Sequence, residues 1–167
     1  MGDEGLVPSL YRDDPEVTRF VAWPPLADAE QARRFIEIEA KAWARGDACR
    51  GWLARDRVDG TPVGAVIARR HEGSAEFSYV IDKALWGRGY ATELARALRQ
   101  RARLDAGIAE LWAVCDVENR ASLLVLERAG FRFDRVLPGH GHHRGFSERR
   151  DCKRFVAAFR KKDRDDG

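Results

Sequence analysis

Apolar positions recur with two different periods along the chain, and the order in which the periods alternate lays out the elements. Asp28-Ala29-Glu30-Gln31 carries a helix cap with Gln three residues on. Ala32, Phe35, Ile36, Glu39 and Trp43 then repeat at helical spacing with one polar exception, which predicts a helix ending near Gly46. Three strand-like runs follow, Trp52 to Val58, Pro62 to Arg69 and Glu76 to Asp82. Asp59-Gly60 joins the first two and the segment His71 to Ser74 joins the last two, as in an antiparallel meander.

After Trp86-Gly87-Arg88-Gly89-Tyr90-Ala91-Thr92 the period changes again. Ala91, Leu94, Ala95, Leu98 and Ala102 mark one face of a helix that Gly107 is expected to end. Ile108 to Val117 reads as a strand. Asn119 caps a second helix running to Ala129, with Gly130 as its left-handed exit, and Phe131 to Leu137 and Asp151 to Phe159 complete the pattern as strands. A meander followed by strand, helix, strand, helix and two strands predicts an α/β protein: a mixed sheet with helices on both faces.

The composition, 44% hydrophobic, 34% charged and 10% aromatic over 167 residues, is that of one folded domain. It is expected to span residues 1–159, with the charged ending 160–167 as a solvated tail. No run approaches the ~18 apolar residues of a membrane span, and the first residues lack a signal peptide's basic flank and apolar core, so a cytoplasmic location with no membrane partner is expected. Cys49, Cys115 and Cys152 are odd in number and widely separated, which fits neither a disulfide framework nor a zinc site. Thirty basic residues against 27 acidic ones leave +3, with Arg predominating among the basic ones. That charge is all that speaks for a nucleic-acid partner, and none is expected.

The most informative stretch is the glycine loop between a strand and a helix. Backbone N–H groups at the positive end of a helix suit a phosphate or pyrophosphate. Gly87 and Gly89 allow close approach, Arg88 adds a cation and Thr92 a hydroxyl donor. Taken alone, the same residues also make a tight strand-to-helix connection. They match neither the G-x-G-x-x-G of dinucleotide folds nor a Walker loop.

Taken in order, Glu76-Phe77-Ser78-Tyr79-Val80-Ile81, the 86–92 loop, Glu118-Asn119-Arg120-Ala121-Ser122 and Gly130-Phe131 resemble the GNAT superfamily of acetyl-CoA-dependent N-acetyltransferases. The ribosomal-protein N-terminal acetyltransferase-like branch is nearest. There Asp14-Pro15-Glu16-Val17 and Phe20 to Pro24 match the segment before the second helix. In the superfamily's Gln/Arg-x-x-Gly-x-Gly/Ala loop, Trp86, Gly89 and Ala91 take the first, fourth and sixth positions, Trp being familiar in this branch.

The resemblance implies acetyl-CoA as co-substrate and no metal. Its pyrophosphate would rest on Gly87, Arg88, Gly89, Tyr90, Ala91 and Thr92, beside Trp86. The pantetheine arm would lie along the 76–82 strand against Tyr79, Val80 and Ile81, like an added strand. It also implies that this strand splays from the Leu111–Asp116 strand to open a cleft. Asn119 would touch the cofactor arm as well as cap its helix. Many GNAT enzymes place a proton-donating Tyr seven residues after this Asn; here that residue is Leu126. Ser122, on the same helix, is then the implied acid as well as a cofactor contact, its plain structural role being a polar residue in the first helical turn. Glu76 is the candidate base, acting directly or through water, and otherwise an exposed strand carboxylate. A modest base suits an α-amine, which costs only about 1 kcal/mol to neutralise at pH 7, against about 4–5 for a Lys amine.

Gly139-His140-Gly141-His142-His143 invites a metal, yet no carboxylate or thiol stands at ligand spacing, and the glycines suggest a mobile surface loop bordering the acceptor. Trp23 is the candidate acceptor contact; Trp43 and Trp52 read as core. Only thirteen residues precede Asp14, where the branch usually has an edge strand and most of a helix. The Trp52 strand is therefore expected to present an unpaired edge, covered by Leu6 to Tyr11, by a second copy in a homodimer or by solvent. The leading function is acetyl transfer to a primary amine. A noncatalytic acyl-CoA-binding module is the alternative, favoured by Leu126 and the short amino end.

Overall fold

The structure is a computed structural model that describes residues 14–21, 30, 34, 37, 38, 41, 45 and 48–159. A helical turn α1 (Pro15–Thr18) opens it, started by Pro15 and by Asp14, whose carboxylate accepts the Glu16 N–H at 2.8 Å. The six described positions between 30 and 45 are helical and exposed, as the spacing predicts for the outer side of that helix. The apolar positions 32, 35, 36 and 43, like Leu6 to Tyr11, Trp23 and the tail, lie outside the described residues.

Strands β1 (Cys49–Arg55), β2 (Pro62–His71) and β3 (Ser74–Ile81) form the expected antiparallel meander. β1 begins and ends three residues earlier than the pattern predicts. The Asp56 carboxylate accepts from the Val58 N–H at 2.7 Å and its carbonyl from the Gly60 N–H at 3.1 Å, which pulls Val58 out of the ladder into solvent. The second turn is tighter than expected, with His71 opposite Ser74 and Gly73 at φ +67°.

Helix α2 (Tyr90–Leu104) crosses to β4 (Glu110–Asp116), which lies parallel to β3. Asp105, and not Gly107, ends α2. Its backbone turns to φ −88°, ψ 110°, and its carboxylate holds the Gly107 N–H and Arg70. Helix α3 (Arg120–Arg128) is capped by Asn119 and left through Gly130 at φ +84°, as expected. β5 (Arg132–Gly141) and β6 (Arg150–Ala158) complete a six-stranded mixed sheet in the order β1-β2-β3-β4-β6-β5. β5 runs four residues past its expected end.

Alternate residues of β3, β4 and β6, among them Phe77, Leu111, Ala113 and Phe155, share a buried core with Ala95 and Ala102 of α2 and Leu126 of α3. Phe77 meets Phe131 at 5.3 Å between ring centroids. Leu126 is 1% exposed, so its burial contributes about 2–3 kcal/mol. Among the described residues no helix is long and apolar enough to cross a membrane.

Gly64 sits where β2 meets the end of β3: a methyl group there would stand 2.4 Å from the Val80 carbonyl and 3.2 Å from Ile81 Cα. Gly64→Ala is therefore expected to cost about 1–3 kcal/mol, a fall of roughly 3–10 °C in Tm by calorimetry. An unchanged Tm would show that the two strands separate there without cost.

Candidate active site

The ladder between β3 and β4 is short. Among the described residues it joins only Ser74, Ala75 and Glu76 to Glu110, Leu111 and Trp112. Beyond that point β3 stays on β2 as far as Ile81, and β4 stays on β6 as far as Asp116, so the two parallel strands diverge. Between them opens a cleft of about 980 Å³ that runs from the glycine loop at one end to the 140–143 segment at the other. Residues Phe77 to Ile81 turn the edge of β3 that β4 has left toward this cleft. Such an edge binds an extended chain through its backbone.

At one end the loop before α2 turns an uncapped helix N-terminus toward the cleft. Gly87 and Gly89 take φ +77° and +88°, conformations that L side chains rarely adopt, and a methyl group on either would meet nothing within 4 Å. Gly89 is the N-cap of α2 and no side chain caps the helix. The first intrahelical bond is Glu93 N–H to the Gly89 carbonyl, which leaves the N–H groups of Tyr90, Ala91 and Thr92 without helical partners. Neighbours fix the loop from both sides. Trp86 Nε1 donates to the Ile81 carbonyl at 2.9 Å, and Tyr90 Oη donates to Asp56 at 2.6 Å. Lys83, three residues upstream of Trp86, pairs with Asp14 and Glu16 at 2.7 and 2.6 Å and so anchors α1 to the loop's approach.

Helix α3 supplies the facing wall. Asn119 Oδ1 accepts the Ser122 N–H at 3.2 Å, and Ser122 Oγ accepts a hydrogen bond from Tyr79 Oη at 3.1 Å across the gap. Burial pushes the Tyr79 phenol up to about 12, against a smaller lowering by Ser122. The Cys115 thiol on β4 is likewise raised by burial to about 12. Both groups therefore stay protonated across the neutral range.

Glu76 closes the paired part of the ladder, half-buried, with Arg69 at 3.7 Å and His71 at 3.8 Å from its carboxylate. At the far end Asp116 is buried at 1% exposure. Glu118 N–H at 2.8 Å and Arg150 Nε at 3.2 Å satisfy it, with His143 Nε2 at 3.5 Å. Burial lowers the His143 pKa, and Asp116 opposes that shift. The histidine segment is in part the surface loop that its glycines suggest, with His140 and His142 exposed and residues 142–149 joining β5 to β6, but His143 is held in place. His140 and Gly141 belong to β5, the His143 side chain is only 12% exposed, and the N–H groups of Arg144 and Gly145 bond to the carbonyls of Val21 and Arg19. Phe146 packs on Phe20 and lies under the guanidinium groups of Arg19 and Arg150. Residues 14–21 therefore brace the glycine-loop end of the cleft against its opposite end. Among the described residues no three metal-binding side chains converge.

One cleft gathers Glu76, Tyr79, Val80, Ile81, Trp86, Gly87, Gly89, Tyr90, Ala91, Thr92, Asn119 and Ser122. Arg88 is the exception: it lines a shallower depression beside Arg96 and Arg128. Trp23 lies outside the described residues. Sequence reasoning missed the Tyr79 hydroxyl, the Asp116–Arg150 pair and the buried His143. A charged residue closing the apolar run of β4 was the one available signal for Asp116.

Comparison with known proteins agrees with this geometry. At 28% identity over 138 residues, 81% of this chain and 77% of the relative, the chain is similar to an uncharacterised N-acetyltransferase p20 of Bacillus licheniformis. Its fold is similar to that of a Salmonella typhimurium acetyltransferase that modifies the N-terminal serine of ribosomal protein L7/L12 (TM-score 0.78, 17% identity, 95% and 92% of the two chains). It is also similar to that of a Vibrio cholerae spermidine N-acetyltransferase in complex with CoA and spermine (TM-score 0.77, 19% identity, 94% and 90%). Residues 3–132 match the family model of the acetyltransferase (GNAT) domain, and the chain belongs to the GNAT acetyltransferase family.

Proposed function

We propose that the protein transfers the acetyl group of acetyl-CoA to a primary amine, a protein N-terminal α-amine or a small-molecule amine, by direct attack on the thioester. The observation that carries this reading is the junction, in one cleft, of a strand edge released by its neighbour with an uncapped, glycine-turned helix N-terminus. The first suits the amides of a pantetheine arm and the second a pyrophosphate. Asn119, next to Ser122 on the facing wall, would touch the arm from the other side.

In the reaction the neutral amine attacks the thioester carbonyl carbon. The C–N bond forms, the C–S bond breaks, and CoA departs as a thiolate. The amine proton passes to Glu76, directly or through water, and on to solvent; Ser122 gives its hydrogen to the departing sulfur and regains one from water, so that CoA is released as the thiol. Position 126 supplies no acid, because Leu126 belongs to the core. An α-amine or a similarly weak base asks least of Glu76, which favours N-terminal acceptors of the kind named for the ribosomal-protein enzyme.

Ser122→Ala is expected to lower kcat about 100-fold while the CoA Kd from calorimetry stays within about threefold. Equal kcat in the two proteins would remove Ser122 from the mechanism. Glu76→Gln is expected to lower kcat about 10-fold or more and to flatten the rise of kcat/KM with pH. A full-sized rise in that variant would assign the rise to the amine alone. Coenzyme A that binds tightly but is never released as thiol from acetyl-CoA with any of a panel of serine-terminated peptides and polyamines would favour a noncatalytic acyl-CoA-binding module.

A further inference from the structure

Tyr79 stands three residues past Glu76, the last residue of β3 paired with β4, and its side chain spans the opening to reach α3. Its hydroxyl donates to Ser122 Oγ at 3.1 Å, while Asn119 Oδ1 holds the Ser122 N–H. A serine hydroxyl has one hydrogen to give and two lone pairs to receive with. Tyr79 is the donor in this contact, so it occupies one of those lone pairs and the serine's own hydrogen is left to turn elsewhere.

Resting on the assignment of Ser122 to the departing thiolate, we propose that Tyr79 is the positioning residue of this reaction. By donating into the Ser122 oxygen, it holds the serine O–H toward the sulfur and polarises it. No bond to Tyr79 forms or breaks, and its hydroxyl remains a donor throughout. The resemblance to the family gave Tyr79 only a backbone role along the cofactor arm.

The test is a double-mutant cycle on the full chain. Acetyl-CoA is the donor, and the acceptor is whichever member of a panel of serine-terminated peptides and polyamines is acetylated fastest. Tyr79→Phe is expected to lower kcat about 10-fold, with the acetyl-CoA KM and the CoA Kd within about twofold of wild type. In the Ser122→Ala background the same change is expected to cost nothing further. An unchanged kcat in Tyr79→Phe, or the same loss in both backgrounds, overturns the proposal and leaves Ser122 in place. So does a rise in Kd that matches the fall in kcat, which would make Tyr79 a strut between the cleft walls. If Ser122→Ala itself leaves kcat unchanged, the serine reading fails, and this one with it. Should Tyr79→Phe fail to fold, global replacement of tyrosine by 3-fluorotyrosine keeps the shape and sharpens the donor. It is expected to change kcat in the wild type and not in Ser122→Ala, and an equal change in both overturns the proposal.

Discussion

Two parallel strands that part company after three paired residues govern the site. Each is held on its other side: β3 by β2 along its full length, and β4 by β6 from Glu110 to Asp116. Neither can bend back to close the gap without giving up those ladders. The price of the opening is a strip of backbone whose polar groups lack a sheet partner, and a buried group of that kind costs about 1–3 kcal/mol when it is left unpaired. A ligand with amides spaced along an extended arm recovers that loss. A splayed sheet is therefore a binding device in its own right, before any side chain is considered.

The rest of the molecule maintains the opening and gives it two chemically distinct ends. Gly64 lets β2 approach the last residues of β3, where a side chain would collide with Val80 and Ile81. Trp86 and Tyr90 tie the glycine loop to the end of β3 and to the β1–β2 turn. Residues 14–21 bridge to the opposite end, through Lys83 on one side and the backbone of Arg144 and Gly145 on the other. Away from the glycine loop Asp116, Arg150, Glu118 and His143 form one charged group, and Glu76, Arg69 and His71 another, while Arg88, Arg96 and Arg128 lie beside the loop itself. In the proposed reaction, anion binding would rest on backbone dipoles with cations beside them at one end, and proton handling on side chains toward the other.

Much of this was legible in the sequence, for reasons that differ by residue. The meander and the two crossovers follow from apolar periodicity, because alternate positions of each strand do face one core. Gly87, Gly89, Gly130 and Asn119 were readable because turns and caps are local, and their residue types state the backbone geometry they serve. That position 126 offers no acid was readable from its side chain, whereas the burial of Leu126 came only with the fold. The ends of strands and helices were less legible: Asp56 after β1 and Asp105 after α2 redirect the chain with carboxylates that bond their own neighbourhood, a competition that apolar spacing does not register. Least legible were contacts between distant segments. The period of β3 places Tyr79 on the face of Phe77, but nothing local says that its hydroxyl meets Ser122. The glycines around His143 likewise suggested mobility, because its partner, Asp116, lies on another strand.

The central claim is that one ligand engages the released edge of β3 and the amides of the glycine loop together. Amide chemical shifts followed by NMR during a titration with coenzyme A test it most directly. The account predicts that the signals of Phe77 to Ile81 and of Gly87 to Thr92 move along the same saturation curve. Loop signals that shift while those of the β3 edge stay fixed, or no saturable shift in either segment, would contradict it.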